Sequence, residues 1–179
     1  MNIKELLIKV AEEVGADREL KILKGDEKTS SLMGSHPEIH CLMEMFNVTC
    51  RDLCRNHVPY LHRVKIKPVN LKYPISWLGS DVFCLREILK DGQPAEYKRV
   101  NEVLIFEEES EYECVYETAP IYFELEDEID NELSAYTDAM IKNVAAFWFI
   151  ANDMPEMFNE FHEMYLEEIK SVKGTLSKY

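Results

Sequence analysis

Apolar residues recur in this chain with two different periods, and the change of period divides it into helical and strand regions. Over 127–173, Leu133, Tyr136, Met140, Ile141, Val144, Phe147, Trp148 and Ala151 fall at steps of three and four, which places them on one helix face. Asn152, Asp153 and Pro155 interrupt this stripe. Proline lacks an N–H and fits a first helical turn, so Pro155 ends one helix and opens another. Phe158, Phe161, Tyr165, Ile169 and Val172 carry the second stripe as far as Gly174, which is expected to close it. The pattern predicts a long helical hairpin whose two stripes pack together, with Trp148 in the core.

Upstream, Asn2 and Glu5 have the spacing of a capping box. Ile3, Leu6, Leu7, Val10 and Val14 form a short helical stripe ending at Gly15. Residues 17–23 can add another helical turn, and 24–36, rich in Gly, Ser and Thr, read as a mobile loop. Pro37 opens a helix with the stripe Ile39, Leu42, Phe46, Cys50, Leu53 and Cys54. From Tyr60 the period becomes two: His62, Val64 and Ile66 alternate with Arg63, Lys65 and Lys67. A strand at 82–90 is followed by Asp91-Gly92, a tight-turn dipeptide, and 97–106 supply one or two more strands. Glu111, Glu113 and Glu117 alternate with Tyr112, Cys114 and Tyr116 in a last one. The expected fold class is α+β: N-terminal helices (1–58), an inserted small antiparallel β-sheet of four or five strands (60–125), a long C-terminal helical hairpin (127–173) and a short tail (174–179), within a single domain.

Charge refines this picture. The 179 residues carry a formal net charge of −14, against the clustered Lys and Arg that a nucleic-acid grip requires. The distribution is uneven: 53–80 hold no acid but contain Arg55, Arg63, Lys65, Lys67 and Lys72, whereas 100–141 hold fourteen acids and no Lys or Arg. Arg63, Lys65 and Lys67, and likewise Glu111, Glu113 and Glu117, alternate with period two, so each set lies on one face. The two sets are candidates for pairing, either across strands of one sheet or across a boundary between subunits.

Candidate chemistry is sparse. His36, His40, Cys41, Cys50, Cys54 and His57 are zinc-ligand types, but Cys50 and Cys54 share the stripe of Leu42, Phe46 and Leu53, where free cysteine packs as a small hydrophobe. The odd number of cysteines and their spacing point to reduced thiols. Glu126, Asp127, Glu128 and Asp130 read as the acidic first turn of a helix rather than a cation loop. Trp77, in YPISWLG, is expected in an exposed loop. No nucleophile turn, phosphate-binding glycine loop, apolar run of membrane-spanning length or secretion signal is present, so neither catalysis nor a cofactor nor a membrane is expected.

The order of elements resembles the head-to-tail connector adaptors of tailed bacteriophages, also called tail tubular proteins. It does so in the opening NIKELLIKVAEEVGA, the helix ending NVTCRDLCRNHVPYL, the hairpin region WLGSDVFCLREILKDGQPAEYKRVNEVLIF, the strand and extended piece CVYETAPIYFELEDEID, and ELSAYTDAMIKNVAAFWFIANDMPEMFNEFHEMYLEEIK. The resemblance implies a structural virion protein of the neck, assembled in the host cytoplasm as a ring of usually twelve copies. Its partners would be the portal on one side and a tail or nozzle protein on the other. Double-stranded DNA would pass through the channel without specific binding. The competing readings are a small intracellular enzyme or metal-binding regulator built on the His/Cys cluster at 36–57, and an acidic host interaction domain.

Overall fold

The computed structural model describes residues 1–25, 36–58, 60–79, 82–118, 122–129 and 131–176. The fold is α+β, with two small antiparallel sheets and a C-terminal helical pair. It divides into two compact units. Met1–Leu53 and Ile121–Tyr179 form a helical unit, and Cys54–Pro120 form a β unit inserted into it, with the division in the last turn of the third helix. The loop expected at 24–36 lies for the most part outside the described residues.

In the helical unit, α1 (Ile3–Val14) begins at the expected capping box: the Asn2 side chain accepts from the Glu5 N–H at 2.8 Å, and Glu5 reaches back to the Asn2 N–H. Its next free donors are satisfied from far along the chain. The Ile3 N–H donates to the Asp127 carbonyl at 3.0 Å and the Lys4 N–H to the Leu125 carbonyl at 3.1 Å. Every N–H of the first turn thus has a partner. Gly15, at φ 70°, ends the helix in the left-handed conformation, and α2 (Asp17–Lys24) follows. On α3 (Pro37–Asn56) the whole predicted stripe, Ile39, Leu42, Phe46, Cys50, Leu53 and Cys54, is buried.

The acid run before the hairpin is not a helical first turn. Residues 122–129 form an extended strap: Asn47 binds the Phe123 backbone through its side-chain oxygen and nitrogen, the Asp127 carboxylate accepts from the Glu124 N–H, and Asn2 bridges to Glu128. Asp130 lies outside the described residues. The first hairpin helix is also shorter than expected, because the chain turns at Ala135-Tyr136 between the single turn α4 (Asn131–Ser134) and α5 (Thr137–Ala151). Pro155 opens α6 (Pro155–Leu176), as its missing N–H favours, but Gly174 does not close it; the helix continues through to Leu176.

The two hairpin helices pack along Phe149, Phe161, Tyr165 and Ile169, all buried, with the rings of Phe149 and Phe161 4.9 Å apart. Here the predicted face shifts. Phe149 is in the core, Trp148 and Phe147 are half-buried, and Ala151 is exposed. From Ala139 to Ala146 every residue of α5 except Lys142 is buried, since the helix packs against α1 and α3 as well as α6. A helix covered on several sides has no single stripe for periodicity to find.

The β unit contains two sheets where one was expected. Four strands run in the order β1 (Leu61–Ile66), β7 (Tyr112–Thr118), β3 (Val82–Lys90) and β4 (Gln93–Pro94); three more run β2 (Lys72–Pro74), β6 (Val103–Phe106) and β5 (Tyr97–Val100). Asp91 and Gly92 both take positive φ, 53° and 76°, and turn β3 into β4. Ile66, Ile88, Tyr112, Cys114 and Tyr116 from the first sheet meet Leu104 and Phe106 from the second in one core, closed by Ile75 of the 3-10 turn Ile75–Leu78.

Candidate functional site

Four of the charged residues singled out in the sequence, Arg63, Lys65, Glu111 and Glu113, meet across β1 and β7 of the four-stranded sheet, while Lys67 lies exposed just past the end of β1. β1 and β7 pair antiparallel with Lys65 opposite Glu113 and Arg63 opposite Val115. The ion pairs, however, are diagonal: Lys65 Nζ lies 2.7 Å from Glu111 Oε1, and Arg63 Nη1 lies 3.5 Å from Glu113 Oε1. Each cation reaches the acid two places before its opposite residue, a same-face neighbour within range of a long side chain in a twisted sheet. The bond to Glu111 raises the Lys65 pKa, and the same bond, helped by the charge of Lys67, lowers that of Glu111.

Glu117 lies opposite Leu61 of β1, but its carboxylate finds its cation on the other side. It is held by Arg86 of β3, whose Nε donates to Glu117 Oε1 at 2.8 Å. Arg86 sits where the β3–β7 register slips between Leu85 and Glu87, and this bulge places its side chain beside Glu117. The acidic loop at 107–109 is occupied in the same manner: Glu108 binds Lys90, and Glu109 accepts from the Asn70 N–H at 2.9 Å. The structure therefore brings Arg63, Lys65, Glu111 and Glu113 together within one sheet and gives Glu117 a partner that the sequence pattern did not indicate.

The His/Cys cluster separates. Cys50 and Cys54 point into the core, with Cys50 Sγ 3.7 Å from Met140 Sδ, while Cys41 and His40 are exposed. Among the described residues no three His, Cys, Asp or Glu side chains converge as metal ligands. Cys114, buried among apolar groups, has its thiol pKa pushed up to about 11. A shallow groove lined by Lys9, Glu12, Glu13, Asp138, Lys142 and Glu168 is acidic overall, and within it Lys142 bonds Glu13 and also lies 5.4 Å from the Phe161 ring centroid.

One polar feature escaped the sequence reading. Asn143 and Thr49 are buried where α5 crosses α3, with Asn143 Nδ2 donating to Thr49 Oγ1 at 3.3 Å. On α6, His162 Nδ1 lies 3.3 Å from Asn143 Oδ1, and the Tyr165 hydroxyl donates to Asp52 Oδ2 of α3 at 2.8 Å. The signal was a lone amide within an otherwise apolar stretch of α5. The polar seam ties three helices together, and a buried hydrogen bond of this kind fixes their relative register.

The acidity resides in one unit. The helical unit holds 23 Asp and Glu against 11 Lys and Arg, whereas the β unit holds 11 against 9. No described helix is long and apolar enough to cross a membrane. Comparison of the sequence with protein-family models and with characterised proteins finds no match.

Proposed function

We propose that this chain is a structural virion protein, the head-to-tail connector adaptor of a tailed phage, forming a ring between portal and tail around the DNA channel. The observation that carries the reading is the division of labour between the two units. A helical unit bears nearly all the net negative charge, and a nearly neutral β unit is inserted between its third helix and its C-terminal pair. A strongly acidic wall repels the phosphate backbone, so DNA slides past without sticking. The charge-paired sheet supplies a stiff module for contact with a neighbour or the tail.

The metal-regulator reading loses its best ligands to the core, because Cys50 and Cys54 pack as apolar side chains. The test is negative-stain microscopy of the purified protein mixed with the portal protein of the same genome. Rings docked on the portal support the adaptor reading. A portal left undecorated at saturating protein overturns it.

A further inference from the structure

Two surfaces of this chain share exposed apolar side chains and carry opposite charges at Glu156 and Lys72. The first is the tip of the α5–α6 hairpin, where Ile150 and Met154 are 44% and 45% exposed beside the half-buried Trp148. The chain around it is anionic: from 143 to 169 it has six acids, among them Asp153 and Glu156 at the tip, and no Lys or Arg, with Lys142 over the Phe161 ring lower in the hairpin. The second lies in the β unit, where Val69 and Trp77 are 58% and 59% exposed and Leu71 is exposed between them in sequence. Its flanking charges are Lys67 and Lys72, from the acid-free run 53–80, and Glu109, held on the Asn70 N–H at 2.9 Å.

The second surface is also built at a cost to the fold. Val69 and Lys72 exchange both backbone hydrogen bonds across a two-residue turn, forcing Asn70 and Leu71 to φ 52° and 63°. Glycine suits the second position; a branched apolar side chain there is strained, and Leu71 is left 37% exposed. The Leu71 carbonyl accepts from the Phe106 N–H at 2.9 Å, which holds the turn in place while its side chain faces solvent. Aromatic and methionine side chains with opposite rim charges are the composition of protein interfaces.

We propose that the hairpin tip of one copy docks on the Val69–Trp77 segment of a second copy, Trp148, Ile150 and Met154 against Val69, Leu71 and Trp77, with Glu156 facing Lys72. A surface and its complement on one polypeptide give a head-to-tail contact, which repeats into a ring when the rotation closes. The proposal deepens the adaptor reading by supplying its subunit contact, and it rests on that reading only for closure.

The test places a photo-crosslinking amino acid at Met154 of isotopically heavy protein, mixes it with light protein, free and on the portal, and maps the products by mass spectrometry. Heavy–light crosslinks from position 154 to a peptide containing 69–77 are expected. Lys72→Glu should reduce them several-fold, and adding Glu156→Lys should restore them. Crosslinks confined to single copies, or leading to another segment, overturn the contact. If rings on the portal are seen without heavy–light products, the contact fails while the adaptor reading stands; heavy–light products without rings leave the contact and remove the adaptor.

Discussion

Asn143 of α5 donates to Thr49 of α3 at 3.3 Å, and both side chains are almost wholly removed from solvent. Removing one partner leaves the other buried and unsatisfied, at a cost of about 1–3 kcal/mol, whereas removing both deletes the need for the bond. Thr49→Val and Asn143→Leu should each destabilise, and the double variant should lose less than the sum. Urea denaturation of the four proteins in a double-mutant cycle measures the coupling; strict additivity would show that the two groups act independently.

The hairpin core is centred on Phe149, not Trp148. Phe149→Ala should cost about 3–5 kcal/mol through the cavity left against Phe161. Trp148→Ala, at a half-exposed position, should cost about 1–2 kcal/mol. Thermal melts of the two variants should fall in that order, and the reverse order would return Trp148 to the core.

Lys65 and Glu111 titrate as partners. Because the folded Glu111 pKa is lowered, its contribution to stability is present above the unfolded carboxylate pKa and is lost as the pH falls through the folded value. Lys65 is shifted upward, so its contribution is present below the unfolded amine pKa and is lost as the pH rises through the folded one. Across neutral pH the pair is fully formed. Lys65→Ala should move the Glu111 carboxyl resonance in an NMR titration upward toward an ordinary glutamate pKa, and an unmoved titration would place the cause elsewhere.

Two thiols should be reactive in the folded protein. Cys41 and Cys84 are exposed, whereas Cys50, Cys54 and Cys114 are buried. The thiolate is the reacting species; burial withholds access from all three and, at Cys114, deprotonation as well. A thiol-exchange reagent at neutral pH should consume two equivalents quickly and the remaining three only on denaturation. Rapid modification of all five would mean that the α3 or β7 core opens readily.

Leu71→Gly should make the free protein more stable by about 1 kcal/mol, since the left-handed backbone is strained for leucine and open to glycine. The shift is read from the urea midpoint. A loss of stability would mean that the exposed side chain makes contacts that outweigh its backbone strain.

The helices were legible where one face alone is buried. On α3 the whole predicted stripe is buried, and on α1 all of it but the half-buried Val14, while Asn2, Gly15 and Pro37 mark the boundaries through capping chemistry that is local in sequence. The pattern failed on α5 because Phe147, Trp148, Phe149 and Ile150 are consecutive and apolar, so only the packing of α6 decides which of them is covered. The second sheet was hidden for another reason: its edge strand β2, three residues ending in a proline, is too short to show alternation. In the charged set, the period-two pattern placed the residues on their faces correctly. It could not reveal the sheet twist that makes the pairs diagonal or the bulge that gives Glu117 to Arg86.

The strap across the start of α1 bears on how the chain is made. During synthesis α1 emerges before the β unit, yet the Leu125 and Asp127 carbonyls that receive its first N–H groups follow only after the whole β unit has been made. The helical unit therefore cannot close until its second segment arrives, and a chain halted before the strap holds a β unit with its own core beside helices that lack their partners. Closure of the helical body, the part with most of the charge, thereby waits on synthesis of the β unit.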